Sequence, residues 1–332
     1  MISFRYHIVS LVSVFLALAV GIALGGGPLK GQVDNTLVEQ VRSDRHVRSD
    51  LKDQIAALRS ESAFTDAVAA TTAPRLIGRA LKGHVVTLVA LPTAPAADVR
   101  AMSRMVRVAD GRVAGTVRVG APLLDVGHKQ LVDELGTQLE GRSSGLSIPP
   151  DDSPYERVGA LLARAVASPR AGGGRVDGPA TSIMAGLSTA NLASVQGSLN
   201  GRGDLVLFVT GAGHGSADQQ QGASTIVTTL VQAVDAASRG VVLAGPTSAA
   251  RPGGQIRAVR DDVGAARSVS TVDSLDRTAG QVVAVMALAG QAAGHTGQYG
   301  AVDAANGAMP GAPAPTGRAV VGAADPDHPG PW

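Results

Sequence analysis

Val85-Val86-Thr87-Leu88-Val89-Ala90-Leu91 decides the fold class. It follows Lys82-Gly83-His84 and stops at Pro92 and Pro95. A run of this length, apolar at almost every position, fits a strand covered on both faces in a parallel sheet. From Asp98 to Ala109 the apolar residues Val99, Met102, Met105 or Val106, and Val108 or Ala109 take helical spacing. Val113 to Val119 then alternates as a second strand. Strand, helix and strand with short joins make a βαβ unit.

The same rhythm continues toward the C-terminus. The pattern predicts a helix near Leu123 to Leu139, a loop over Gly141 to Pro154, a helix over Glu156 to Ala167 and a glycine-rich loop over Ala171 to Pro179. Ile183 to Val195 is mixed and has no assignment. Asp204 to Thr210 is a buried strand, Gly222 to Ser238 a helix with Ile226, Leu230, Val234 and Ala237 on one side, and Val241 to Ala244 a strand. A further strand pair is expected at Ile256 to Val259 and Val269 to Val272, then an apolar helix over Thr278 to Ala293. The expectation is an α/β domain over residues 71–300 with a doubly wound, mostly parallel sheet, a boundary between two lobes near residue 150 being left open. Residues 301–332 carry six Pro among many Ala and Gly, too little apolar area to offset the entropy of ordering, and are expected to be disordered.

Before the domain the texture changes twice. Ile8 to Leu24 is uncharged, and with Gly25-Gly26-Gly27 it reaches roughly 20 residues, enough to span a bilayer. Residues 1–29 are therefore read as a membrane anchor. Arg5 and the α-amino group precede it, which favours a short cytoplasmic N-terminus with the remainder exported. A cleaved signal peptide, with Ala17-Leu18-Ala19 as its small-residue site, is the competing reading. Over residues 30–70 the apolar residues Val33, Leu37, Val41, Leu51, Ile55 and Leu58 recur at steps of three or four among many charges. That predicts a juxtamembrane coiled-coil helix, with homo-oligomerisation through residues 32–68, although Asp44 and Arg48 fall in its seam. The alternative is one amphipathic helix packed on the chain's own domain. Thr71-Thr72-Ala73-Pro74 is expected to end the helix.

Composition removes several function classes. The 332 residues contain no Cys, which excludes a disulfide framework, thiolate metal sites and thiol catalysis. Twenty-nine Lys and Arg against 27 Asp and Glu leave a net charge of +2, with no concentrated basic face for nucleic acid. Four Phe, three Tyr and one Trp cannot supply the aromatic girdles of a membrane β-barrel.

Motifs for chemistry are sparse, and no enzymatic activity is expected. Gly211-Ala212-Gly213-His214-Gly215-Ser216 follows a strand and precedes a helix, where glycines can admit a phosphate. Its glycine spacing misses the dinucleotide fingerprint, Asp218-Gln219-Gln220-Gln221 delays the helix, and Ala244-Gly245-Pro246 offers no acidic residue to a ribose. An ordinary glycine-rich loop is the reading preferred to nucleotide binding. Gly141-Arg142-Ser143-Ser144-Gly145 matches G-x-S-x-G but lacks the strand–turn–helix setting of a nucleophile elbow. None of the seven His forms a closely spaced pair. Met102 and Met105, three apart on a helix, and His214 are the candidate metal ligands. Thioethers favour Cu(I), while core filling is the ordinary role of Met. Asp273 and Asp276 follow a strand, where doubly wound sheets place ligands.

The opening Ile2-Ser3-Phe4-Arg5-Tyr6-His7-Ile8-Val9-Ser10-Leu11, continuing through Val14 to Gly25, resembles the start of the actinobacterial copper transport protein B family. Ser270-Thr271-Val272-Asp273 and Gly297-Gln298-Tyr299-Gly300 are similar as well. The likeness reaches about residue 300. It implies an envelope protein of copper transport, efflux and homeostasis, an outer-membrane component, with copper as transported species rather than cofactor. It implies no ligand set. The layout alone equally suits a non-enzymatic envelope scaffold for growth or division, acting through coiled-coil dimers and an envelope partner protein.

Overall fold

The computed structural model describes residues 4–26, 29–142 and 148–311; over residues 26–42 and at Asp44 it describes no side chains. Ser143, Ser144 and Gly145 of the G-x-S-x-G match, Gly27 and Pro28, and the tail beyond Gly311 lie outside the described residues. The chain divides into two units, residues 1–64 and 65–332.

In the first unit, helix α1 spans Phe4–Gly26. Its 23 residues give about 35 Å of helix, enough for a hydrocarbon core of about 30 Å. Ile8, Phe15, Leu16 and Leu24 are all exposed and lie on different sides of the helix. A helix apolar all round suits lipid as its surroundings. It is the one helix among the described residues long and apolar enough to cross a membrane.

Helix α2 runs Leu29–Ile77 and does not stop before Pro74, contrary to expectation. Proline inside a helix costs about 3 kcal/mol, through a lost N–H bond and ring crowding. Continuing the helix drives Ala73 and Ile77 into the domain core, where both are buried. Burying an Ile alone is worth about 1.5–3 kcal/mol, so packing offsets the local penalty. The helix ends at Gly78, whose N–H bonds the Pro74 carbonyl at 3.1 Å.

In the second unit, β1 (Val85–Ala90), α3 (Ala96–Val108) and β2 (Arg112–Val119) form the expected βαβ unit, the strands pairing in parallel. Two 3₁₀ turns, Ala121–Leu124 and Val126–His128, precede α4 (Lys129–Arg142). The expected helix therefore starts late, because Asp125 turns the chain by accepting from Gly127 N at 2.9 Å. There follow α5 (Pro154–Val166), α6 (Gly178–Thr189) and β3 (Ala193–Gln196), the last two filling the unassigned stretch. Next come β4 (Leu205–Val209), α7 (Ala217–Ala236), β5 (Val241–Ala244), α8 (Gln255–Asp261), α9 (Val263–Ser268), β6 (Ser270–Val272), α10 (Thr278–Ala292) and β7 (Gln298–Tyr299).

Among the described residues seven strands form one sheet in the order β3-β2-β1-β4-β5-β6-β7, and of these only β3 is antiparallel. The period of two sends Val89, Val117, Val206 and Phe208 into the core beneath α5 and α7. Val86, Leu88, Leu205 and Leu207 enter the opposite core with α3, α10 and the last turn of α2. This is the doubly wound architecture read from the sequence. Buried Asp204 ties the starts of β1 and β4, accepting from Val85 N at 2.6 Å and contacting His84 Nδ1 at 2.7 Å.

The sheet runs on past residue 150, where the sequence leaves a lobe boundary open: β1 pairs with both β2 and β4, which lie on either side of it in the chain. Two readings are corrected. Ile256–Val259 is not a strand but lies in α8; the two apolar residues sit three apart and both face the core. Residues 301–311, expected within the disordered tail, are folded in turns: Asp273 accepts from Ala301 N at 2.6 Å, and Arg260 Nη1 donates to Val302 O at 2.5 Å.

Asp177 caps α6 by accepting from Ala180 N. The hydrogen bond from Arg164 is the main reason its carboxyl group sits at about 2, below the ordinary 3.8. A depressed folded-state value contributes stability that is present above pH 4 and lost as pH falls through 2. Thermal melts from pH 5 to pH 2 should therefore fall more steeply for the wild-type chain than for Asp177→Asn.

Candidate functional site

Chain order reverses between β1 and β4, one running on to β2 and the other to β5. In doubly wound sheets the crevice beyond the C-terminal ends of such strands is where ligands bind. Here it is formed by Pro92 and Thr93 after β1, the Gly211–Gly215 loop after β4, the start of α7, and Gly253, Gly254 and Gln255 before and at the start of α8.

The loop is held from below. Thr93 Oγ1 accepts from Gly211 N at 3.0 Å and stands 3.3 Å from the buried Thr210 hydroxyl. That hydroxyl also donates to Gln255 Oε1. A Cβ on Gly211 would lie 1.9 Å from the Thr93 carbonyl, so only glycine lets these segments approach. Gly215 has φ +94, the second place where glycine is required. Helix α7 then starts at Ala217, earlier than read. Ser216 accepts from Gln219 N at 3.3 Å, and Gln219 Oε1 accepts from Ser216 N at 2.9 Å. This capping box turns the supposed delaying segment into the first turn of the helix. Gln220 Nε2 closes the loop on Gly215 O at 2.9 Å.

The cavity so enclosed is about 110 Å³. That is well under the roughly 300–1,000 Å³ of ordinary ligand pockets and too small for a dinucleotide. A larger groove of about 360 Å³ lies between α7 and α8. Arg257 on its wall is engaged by Asp261 at 2.8 Å and by Asp303 at 3.0 Å.

The candidate ligands are not brought together. Exposed His214 lines the crevice, while neither Met102 nor Met105 does. Met102 is fully buried in the α3–α10 core and Met105 packs, half-buried, against the same cluster. Among the described residues no three His, Asp or Glu are grouped to hold a metal. Asp276 lies beside Asp98, whose carboxyl group burial and this like charge push up.

The residues that carried the later resemblance form a structural clamp. Asp273, fully buried, accepts from Arg260 Nη2 at 3.2 Å, Ser274 Oγ at 2.9 Å, and the N–H groups of Ala301 and Val302. Arg260 completes its fork on Thr271 Oγ1 at 2.8 Å and Tyr299 O at 2.8 Å. Burial lowers the Arg260 guanidinium from its usual value, and Asp273 opposes that shift. Ser270 Oγ accepts from Gln291 Nε2 and Gly297 N, and Thr271 donates to Gln298 Oε1. A Cβ on Gly300, at φ +134, would meet the Asp273 carboxylate at 2.3 Å. The sequence reading does not single out Arg260, whose partners Asp273 and Tyr299 lie 13 and 39 residues further along the chain. Thr93 and Gln255 escaped it because their partners are more than 40 residues away.

Asp273→Ala would strand a buried guanidinium and should cost about 3–5 kcal/mol in denaturant unfolding. Gly211→Ala should cost about 1–3 kcal/mol by the same measurement, because the strand-end loops must part.

The family model described as "Copper transport outer membrane protein, MctB" matches residues 1–310. The protein named "Copper transporter MctB" in Mycobacterium tuberculosis is 30% identical over 313 residues, covering 90% of this chain and 96% of that protein. The protein of the same name in Mycobacterium bovis matches equally. That of Mycobacterium leprae is 29% identical over 320 residues, again covering 90% and 96%. With the match spanning the first helix, the long helix and the α/β domain alike, the chain belongs to the MctB copper transport outer membrane protein family.

Proposed function

We propose that this chain is a membrane-anchored component of copper transport, acting in copper efflux and homeostasis at the cell envelope. The observation that carries this reading is the family match over residues 1–310, anchor included. α1 holds the chain in the bilayer, with a short cytoplasmic N-terminus and the α/β domain exported. Copper is cargo in this reading, and the chain performs no catalysis on it. The sheet is covered by helices on both faces, so it supplies no barrel lumen. A route for the ion then belongs to assembled α1 helices or to an envelope partner protein. The relatives, named as copper transporters, lend no support to the scaffold alternative.

Deletion of the gene should raise cell-associated copper and lower copper tolerance, and the full-length chain should restore both. Unchanged copper content and tolerance in the deletion strain would remove the transport reading. Reporters fused after Lys30 and at the C-terminus should both register as exported; activity of either in the cytoplasm would reverse the proposed topology.

A further inference from the structure

Helix α2 carries a second apolar surface, separate from the turns that enter the domain core. Val47, Leu51, Ile55 and Leu58 are 53%, 50%, 47% and 64% exposed and recur at steps of four, four and three. At about 100° per residue they form one stripe. The sequence spacing carries the stripe back to Leu37 and Val41. Phe64 and Val68 fall off it. Asp66, the next charged position on one flank, is already engaged by Arg277 Nη1 at 3.2 Å and Thr278 N at 3.0 Å, so the stripe ends before it.

The two flanks differ in sign. Arg48, Lys52 and Arg59 lie on one side of the stripe, Asp50 and Glu61 on the other. When two copies pair in parallel about a twofold axis, the basic flank of each faces the acidic flank of the other. An antiparallel pair sets like charges together. The anchor imposes the same choice, since both copies leave one bilayer in the same direction and at raised local concentration.

We propose that the stripe is the seam of a parallel homodimer, with Leu51, Ile55 and Leu58 packed against the same residues of a second copy. This deepens the anchored-component reading and rests on α1 lying in a membrane. The four described side chains bury on the order of 800 Å² over both copies, below the roughly 1,200 Å² of a stable soluble interface, so pairing depends on the anchor. Arg48 at the edge of the seam lowers stability and sets register.

The chain has no Cys, so single substitutions report proximity without background. Full-length Leu51→Cys and Leu58→Cys, in membranes under mild oxidation, should each give a disulfide-linked dimer. Asp53→Cys, on the opposite side of the helix, should not. No dimer from either seam position, or equal yield from Asp53→Cys, overturns the proposal. A second measurement uses Leu51→Asp with Ile55→Asp, which should raise the dimer dissociation constant in detergent at least about tenfold. An unchanged constant, with the domain melting at its normal temperature, also overturns it. Cross-linking does not involve copper. A dimer found where the deletion strain handles copper normally would keep this inference and remove the transport reading. The reverse result would keep transport alone.

Discussion

A helix whose every side is apolar and whose length matches the hydrocarbon thickness is well solvated by lipid. In α1 the backbone groups are bonded within the helix, as a segment surrounded by lipid requires. The side chains from Ile8 to Leu24 are all exposed. In the topology proposed above, that helix in a bilayer gives any second copy the same direction and sets the compartment in which the α/β domain works.

The domain follows a different rule. Its central parallel strands β1, β4 and β5 are buried on both faces, and each is nearly continuous in apolar residues, as Val85–Ala90 and Leu205–Val209 are. The sheet order then brings the ends of β1 and β4 to the reversal point. Thr93 and Gly211 touch there at a spacing that admits no side chain. The fold therefore makes a crevice at this point, and the loops largely fill it. A packed crevice and a family of copper transporters agree in one respect: neither calls for nucleotide chemistry from the Gly211–Ser216 loop.

The short motifs near the C-terminus turn out to be mechanical. Ser270, Thr271, Asp273, Gln298 and Gly300 lie in the two short stretches that resemble the family. Their hydrogen bonds show that they bind the sheet edge and the following turns to α8 through Arg260. An Asp at a strand end in a doubly wound fold invites a catalytic reading. Full burial, with an Arg partner and two backbone donors, makes this one a structural anchor.

Local pattern was sufficient for the apolar first helix, the long helix, the βαβ start, the two central strands and the last helix, because each rests on a period of 2 or 3.6 or on an unbroken apolar run. The spacing of Leu51, Ile55 and Leu58 was equally visible. Other features depended on contacts between distant residues. Pro74 stays inside α2 because Ile77 gains a buried site that the sequence around it does not announce. Ile256 and Val259 belong to a helix because both face the same core. Residues 301–311 are ordered because Asp273, nearly thirty positions earlier, offers carboxylate oxygens to their N–H groups. Met102, three residues from Met105 on a helix, and His214 stand out by residue type and spacing, and only the folded chain places one in the core and the other on the crevice rim. Periodicity reports which face of an element is apolar; what that face meets is decided by long-range packing, which no local window contains.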